Sequence, residues 1–173
     1  MIRDGKGGAR TTANGLKFEA RADIAPLLTA QGFQVANCPV GQTLTKDGQL
    51  VGLLLKKGDL YRFLRSKGIN HKDFLSKKLL PDNALLNLKD KTLYIVEVKF
   101  QEKAGSVDEK LQTCAFKKGR YEALMKPLGF KVRYMYVLNK WFEKPEYRDT
   151  LSYVEEAQCA YHFEEVPLKD LGL

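Results

Sequence analysis

The sequence of 173 residues predicts an α/β fold in which one central mixed β-sheet is flanked by helices. Two observations favour this class. A strand-like segment at 92–99 is followed by a long helical segment and then by a second strand-like segment at 130–139, the order typical of parallel strands joined by a crossover helix. The Asp47-Gly48 pair inside an alternating segment predicts a hairpin, so antiparallel strands should belong to the same fold.

The first residues of the chain predict an arm outside the main fold. Residues 1–14 mix glycine with Lys6 and Arg10, and such a composition offers too little apolar surface to order itself. We therefore expect a flexible basic arm at 1–14 and a single domain at 15–173.

Local patterns define the elements of the first half of this domain. Apolar residues at helical spacing, alternating segments and glycine or proline breaks follow one another along the chain. In order, they predict a helix over 15–32 that Pro26 kinks or restarts, a strand over 33–38, the hairpin at Asp47-Gly48, a helix over 60–67 and a helical turn over 71–76.

The second half predicts the crossover helix and the strands beside it. Ser106 and Glu109 have the spacing of a capping box, which predicts a long helix that begins at Ser106. Its exposed side carries a row of basic residues. The strand at 130–139 follows, and we further predict a helix at 146–157 and a strand at 159–163.

The chain is strongly basic, because 29 Lys and Arg residues outnumber 21 Asp and Glu residues to give a net charge of +8. These residues are spread along the chain and are not gathered in one tail. The charge favours a polyanion as partner, through phosphate contacts and electrostatic steering. A basic protein whose charge serves only solubility is the alternative.

No part of the sequence predicts a secretion signal or a membrane span. The N-terminus lacks the apolar core of a signal peptide, and no later window has the length of a membrane helix. Cys38, Cys114 and Cys159 are odd in number and lack metal-type spacing, which is typical of reduced, buried thiols. We therefore expect a cytoplasmic protein with no membrane partner.

Charged residues surround the apolar strand TLYIVEVK at 92–99. Side chains alternate along a strand, so Glu97 and Lys99 share one face, with Cα atoms about 7 Å apart. Asp82 precedes the run ALLNL, and Lys89-Asp90-Lys91 can turn that run back as an antiparallel neighbour. This hairpin would bring the carboxylates of Asp82 and Glu97 together.

Two carboxylates at one place repel each other unless a cation lies between them or one is protonated. A hard divalent cation with oxygen ligands, Mg²⁺ in the cell, resolves the conflict. The ammonium of Lys99 can then hold the attacking water or stabilise charge on a phosphate. This pattern predicts metal-assisted phosphodiester hydrolysis, and a Glu97–Lys99 ion pair with Asp82 as a turn residue is the alternative.

The order Pro-Asp, apolar strand, Glu-x-Lys and helix with a glutamine resembles the PD-(D/E)XK nuclease superfamily. The phrases SKKLLPD, GSVDEKLQT and YVLNKWF, together with the chain length, resemble a type II restriction endonuclease of that superfamily. The resemblance covers roughly residues 15 to 163. It implies a restriction endonuclease-like core, with Mg²⁺ as the cofactor and Mn²⁺ as a substitute.

The resemblance also implies roles for individual residues. Metal ligands would be Asp82, Glu97, the carbonyl of Val98 and, from the first helix, Glu19, for which a solvated helix acid is the alternative. Lys99 would position the water. Gln112 matches a helical glutamine found in some branches only, so capping or packing is an equal alternative for it.

Double-stranded DNA is the substrate that the resemblance implies, cleaved to leave a 5′-phosphate and a 3′-hydroxyl. A set of basic residues near the predicted site would hold its backbone: Lys77, Lys78, Lys110, Lys117 and Arg120. A restriction enzyme would have a cognate DNA methyltransferase as genetic partner. A homodimer would suit a palindromic target, although a monomer is equally compatible with the sequence.

Three functions therefore stay open at the level of sequence. The leading hypothesis is a restriction endonuclease that cuts duplex DNA at a specific site. A structure-specific, repair or transposition nuclease would use the same residues, because fold and site do not fix the substrate. A catalytically inactive DNA-binding module is the third hypothesis, and the presence of Asp82, Glu97 and Lys99 together counts against it.

Overall fold

The computed structural model describes the backbone of residues 6–173 and the side chains from residue 12 onward. Within this range seven strands form one mixed sheet, in the spatial order β1 to β7. Strands β1 to β5 are antiparallel to their neighbours, whereas β5, β6 and β7 are parallel. Helices cover both faces, so the predicted fold class is confirmed.

The strands are β1 Gln34–Cys38, β2 Gly41–Lys46, β3 Gln49–Leu54, β4 Asn83–Asn87, β5 Thr92–Lys99, β6 Lys131–Leu138 and β7 Ala160–Phe163. The α-helices are α1 Lys6–Arg21, α2 Ile24–Ala30, α3 Asp59–Ser66, α4 Val107–Leu111, α5 Cys114–Met125 and α6 Arg148–Glu156. No described helix is long and apolar enough to cross a membrane.

The sheet divides the core into two layers. One face packs against α3, α4, α5 and α6, and it includes Leu93 and Ile95 of β5. The other face packs against α1 and α2, and it includes Tyr94, Val96 and Val98. Both faces of β5 are therefore buried, and the predicted alternation of its side chains is confirmed.

The predicted turns and crossover are also observed. Asp47 and Gly48 both have positive φ, as a tight hairpin turn between β2 and β3 requires. Strand β4 lies antiparallel to β5, and the segment containing α4 and α5 connects β5 to the parallel strand β6.

The first helix begins at Lys6, nine residues before the predicted start. It thus includes residues 6–14, which the composition assigned to a flexible arm, and residues 1–5 of that arm lie outside the described residues. The side chain of Asn14 donates a hydrogen bond of 2.9 Å to Glu102, and Phe18 is buried against the sheet. A helix anchored by such contacts can extend into residues that would not order alone.

The break in the N-terminal helical segment lies before Pro26. Asp23 caps α2 by accepting a hydrogen bond from the backbone N–H of Ala25. Pro26 then falls in the first turn of α2, where a missing backbone N–H costs no helical hydrogen bond. The proline is accommodated by a new helix start, which confirms the predicted restart as opposed to a kink within one helix.

The predicted crossover helix is interrupted after Leu111. The hydroxyl of Tyr136 donates to the carbonyls of Lys110 and Leu111, both at 3.2 Å, and the hydroxyl of Thr113 donates to the carbonyl of Lys110 at 2.7 Å. These side chains take acceptors that a continuous helix would use. In the described structure Ser106 makes no side-chain capping bond, so the predicted capping box is wrong.

Candidate active site

The β4–β5 hairpin places two carboxylates at its open end. Asn83 is paired with Val96, so Asp82 lies opposite Glu97, as the sequence predicted. The backbone N–H of Val98 donates a 2.9 Å hydrogen bond to Oδ2 of Asp82. The carboxylate therefore continues the ladder of the hairpin beyond its last backbone pair.

The ammonium of Lys99 lies among oxygen atoms from three residues. Its Nζ atom is 3.4 Å from Oδ2 of Asp82, 3.0 Å from Oε2 of Glu97 and 2.9 Å from the carbonyl oxygen of Val98. Asp82, directly before β4, and Glu97 and Val98 of β5 are three of the metal ligands that the resemblance implies. The site thus gathers two carboxylates and a carbonyl around one cation.

A second ammonium reaches the same site from α5. Nζ of Lys117 is 3.5 Å from Oε2 of Glu97, whose side chain is only 7% exposed. Two acids and two ammonium groups therefore balance in formal charge. This balance offsets the repulsion between the carboxylates and part of the cost of burying Glu97.

Buried tyrosines form the floor beneath Glu97. The rings of Tyr121 and Tyr134 stack with centroids 6.4 Å apart, and Tyr136 meets Tyr134 edge-on at 5.3 Å. Burial, and then the negative charge of Glu97, raise the pKa of Tyr121 and of Tyr134 well above the usual range. These hydroxyls stay neutral, and the three rings are almost fully buried, so the local dielectric is low and the electrostatic interactions of Glu97 are strengthened.

Glu19 lies on a cleft of about 310 Å³ that Asp82 and Asn83 also line. The structure therefore places Glu19 on the same cleft as one site carboxylate, outside the contacts of Lys99. Oδ1 of Asn83 is buried and has no hydrogen-bond partner among the described residues. Asp23, also on this cleft, forms an ion pair with Lys56. The cleft thus joins α1 to the open end of the hairpin.

Gln112 is not brought to the carboxylates. It is exposed at the C-terminal end of α4, whereas Lys117, five residues later, contacts Glu97. Lys117 was predicted to contact the DNA backbone, and its contact with Glu97 was not predicted. The spacing held a signal: Lys117 lies four residues before the buried Tyr121 and so faces the sheet on the same side of α5.

The other predicted DNA-contacting residues lie on the surface. Lys77, Lys78, Lys110 and Arg120 are exposed. The ammonium of Lys78 lies 5.1 Å from the ring centroid of Tyr61. The hydroxyl of Tyr61 is in turn hydrogen-bonded to the backbone of Leu79, the residue after Lys78. Exposed cations therefore occur both in the segment before Asp82 and in the helical segment α4–α5 that follows β5.

Among the side chains described from residue 12 onward, no group of three or more His, Cys, Asp or Glu side chains is placed to hold a metal ion. The oxygen set at Lys99 consists instead of two carboxylates and one main-chain carbonyl. Such hard oxygen donors fit Mg²⁺, which commonly uses one or two carboxylates and keeps several waters.

Comparison with models of known protein families gave no match, and comparison with curated proteins gave none. Among solved structures, the chain is similar to an XisH family protein from Nostoc punctiforme, with a TM-score of 0.40 and 15% sequence identity. The alignment covers 84% of this chain and 88% of that chain. A likeness of this size carries no argument about function.

Proposed function

We propose that this chain is a Mg²⁺-dependent endonuclease of the PD-(D/E)XK type that hydrolyses phosphodiester bonds in DNA. The observation that carries the proposal is the convergence of Asp82, Glu97 and the Val98 carbonyl on one cation, the Lys99 ammonium. A simple ion pair between Glu97 and Lys99 is the alternative. It requires neither the second carboxylate nor the second ammonium of Lys117.

The oxygen set supports a hard divalent cation. Asp82, Glu97 and the carbonyl of Val98 would hold Mg²⁺, and Mn²⁺ would use the same atoms. Glu19 is a further acid on the adjoining cleft. When bound, such an ion stabilises negative charge on the phosphate and eases deprotonation of water.

Lys99 has a separate role in this proposal. Its ammonium contacts the oxygens that would hold a divalent cation, so the two cations would compete for them. Beside a bound cation, its three N–H donors would be available to hold the attacking water and a phosphate oxygen. Lys117 forms a second ion pair with Glu97, which helps to orient that carboxylate.

Exposed cations beside the site support DNA as the polyanion. Lys77 and Lys78 precede Asp82, while Lys110 and Arg120 belong to the helical segment that carries Lys117. Phosphate contacts from such residues fix the position of a strand without reading its sequence. The net charge of +8 favours rapid encounter with DNA.

Two substrate classes are compatible with this site. A type II restriction enzyme would cut double-stranded DNA at a specific sequence, with a cognate methyltransferase as genetic partner and a homodimer for a palindromic target. A structure-specific or repair nuclease would use the same carboxylates on branched or single-stranded DNA. A module that binds DNA without cutting it is the non-enzymatic alternative.

Incubation of the full chain with supercoiled plasmid tests the proposal. With Mg²⁺ or Mn²⁺ we expect cleavage that EDTA abolishes: discrete linear fragments for a restriction enzyme, or nicked circles and cleaved branched oligonucleotides for a structure-specific nuclease. Each product should carry a 5′-phosphate, measured by ligation. Retarded but intact DNA with either metal would contradict the enzymatic proposal and support the binding module.

A further inference from the structure

Exposed apolar side chains lie next to the candidate site. Among the described residues, five large hydrophobic side chains are exposed; two of them adjoin Asp82 along the chain or the cleft, and a third is the neighbour of Lys117. Leu16 lines the cleft with Asp82, Leu80 precedes Asp82 by two residues, and Phe116 is the neighbour of Lys117. The site therefore has an apolar margin in addition to its charged centre.

Phe116 is the most exposed of this group, at 65%. Its ring packs against the guanidinium of Arg120, one helical turn away, with 5.7 Å between the guanidinium carbon and the ring centroid. The remaining ring surface contributes little to the core and is open to a ligand. Phe116 and Arg120 thus form an exposed aromatic and cationic pair, here called the α5 platform.

The α5 platform lies beside the catalytic centre that we propose. Lys117, the residue after Phe116, reaches Glu97 with its ammonium at 3.5 Å. Phe116 and Lys117 are consecutive residues of α5, with Cα atoms about 3.8 Å apart, so the platform lies one helical position from the side chain that reaches Glu97. A nucleotide next to the scissile phosphate would meet this surface.

We propose that the α5 platform binds an unpaired base by stacking, and that the preferred substrate is DNA with a single-stranded segment at the cleavage point. In continuous duplex the base faces are covered by neighbouring pairs, and a protein meets only edges and phosphates. An exposed aromatic ring stacks on an unpaired base without the cost of unstacking a duplex step, while the adjacent arginine can contact its phosphate. This inference rests on the proposed nuclease function and selects the second of its substrate classes.

Binding measurements test the platform without requiring cleavage. Fluorescence anisotropy of the full chain in Ca²⁺ would compare a single-stranded oligonucleotide, a flap and a continuous duplex. For Phe116→Ala we expect roughly 5- to 100-fold weaker binding of the first two, as loss of one stacked base predicts, and about twofold or less change for the duplex. Phe116→Trp should restore single-strand binding, because an indole also stacks.

Tyr153→Ala is the matched control, since Tyr153 is an exposed aromatic residue on α6. We expect this variant to bind all three DNA substrates like the parent, with thermal melting to verify that both alanine variants are folded. An equal effect of Phe116→Ala on duplex and single strand, or no effect on either, would overturn the platform. So would conversion of a dimer to a monomer by Phe116→Ala in sedimentation, because Phe116 would then pack against a second copy.

The outcomes for platform and nuclease are distinguishable. If the parent cuts no DNA while Phe116→Ala loses single-strand binding selectively, the nuclease proposal fails and the stacking site stands. If the parent cuts duplex and flap at equal rates and Phe116→Ala binds both like the parent, the nuclease stands and the platform fails.

Discussion

The two ends of the β4–β5 hairpin hold carboxylates in different ways. At the turn end, Oδ1 of Asp90 accepts the backbone N–H of Thr92 at 3.0 Å, and Oδ2 accepts the hydroxyl of Tyr94 at 2.6 Å. The amide of Asn87 donates to the carbonyl of Gly172 at 3.1 Å and ties the C-terminus to this end. A Cβ on Gly172 would lie 2.5 Å from Asp90 Oδ2, so the turn end is tightly packed.

At the open end most of the donors are side-chain ammonium groups. Asp82 accepts one backbone N–H, from Val98, but the remaining contacts of Asp82 and Glu97 are with the ammonium groups of Lys99 and Lys117. A lysine holds its ammonium on four rotatable bonds, and a cation can replace it without disturbing the strand. Fixed donors thus make the turn end structural, and exchangeable donors leave the open end free to take a ligand.

The largest expected difference between the two ends is in the cleavage rates of Glu97→Gln and Asp90→Asn. Loss of the Glu97 charge should slow Mg²⁺-dependent cleavage by roughly a thousandfold, because it removes one of the two carboxylates that would hold Mg²⁺ at the reacting phosphate. Asp90→Asn should leave cleavage within about twofold and lower the free energy of unfolding by about 1 kcal/mol. The cleavage rate and the free energy of unfolding in urea are measured for both variants and the parent. Equal slowing by the two substitutions would show that the ends do not differ in function.

The sequence predicted the hairpin because its signals are local. A turn-forming run between two apolar segments fixes the register, and the register places Asp82 opposite Glu97. The alternation of β5 then puts Glu97 and Lys99 on one face. Nothing further was needed to bring these three residues together.

The spacing to Tyr121 places Lys117 on the inner side of α5, but the carboxylate that its ammonium meets there is set by tertiary packing. The break before α5 is also a tertiary effect, because Tyr136, on β6, takes the carbonyls of Lys110 and Leu111. That interruption leaves Gln112 exposed. A prediction from helical spacing alone treats the segment as one helix and does not locate this break.

Lys99→Ala separates metal binding from turnover at the open end. Removal of the competing ammonium should leave Ca²⁺ binding at least as strong as in the parent, measured as the rise in melting temperature with added Ca²⁺. Cleavage with Mg²⁺ should fall by roughly a hundredfold, because a preorganised donor to the reacting groups is lost. Lys89→Ala, an exposed lysine at the turn end, is the control. A rate for Lys99→Ala within about threefold of the parent would support a structural ion pair.

Tyr94→Phe tests the turn end through its pH dependence, with the smallest expected effect. Burial, then the hydrogen bond and charge of Asp90, raise the pKa of Tyr94 from 10.0 to about 12. Since the folded-state pKa lies above the unfolded value, the stabilisation is complete below about pH 10 and is lost as the pH rises through 12. The parent should exceed Tyr94→Phe by about 1–2 kcal/mol in free energy of unfolding at pH 8, and this difference should shrink above pH 10. Tyr153→Phe, at an exposed tyrosine, should match the parent throughout. If the difference in free energy of unfolding between the parent and Tyr94→Phe stays constant from pH 8 to pH 11.5, then folding does not raise the pKa of Tyr94.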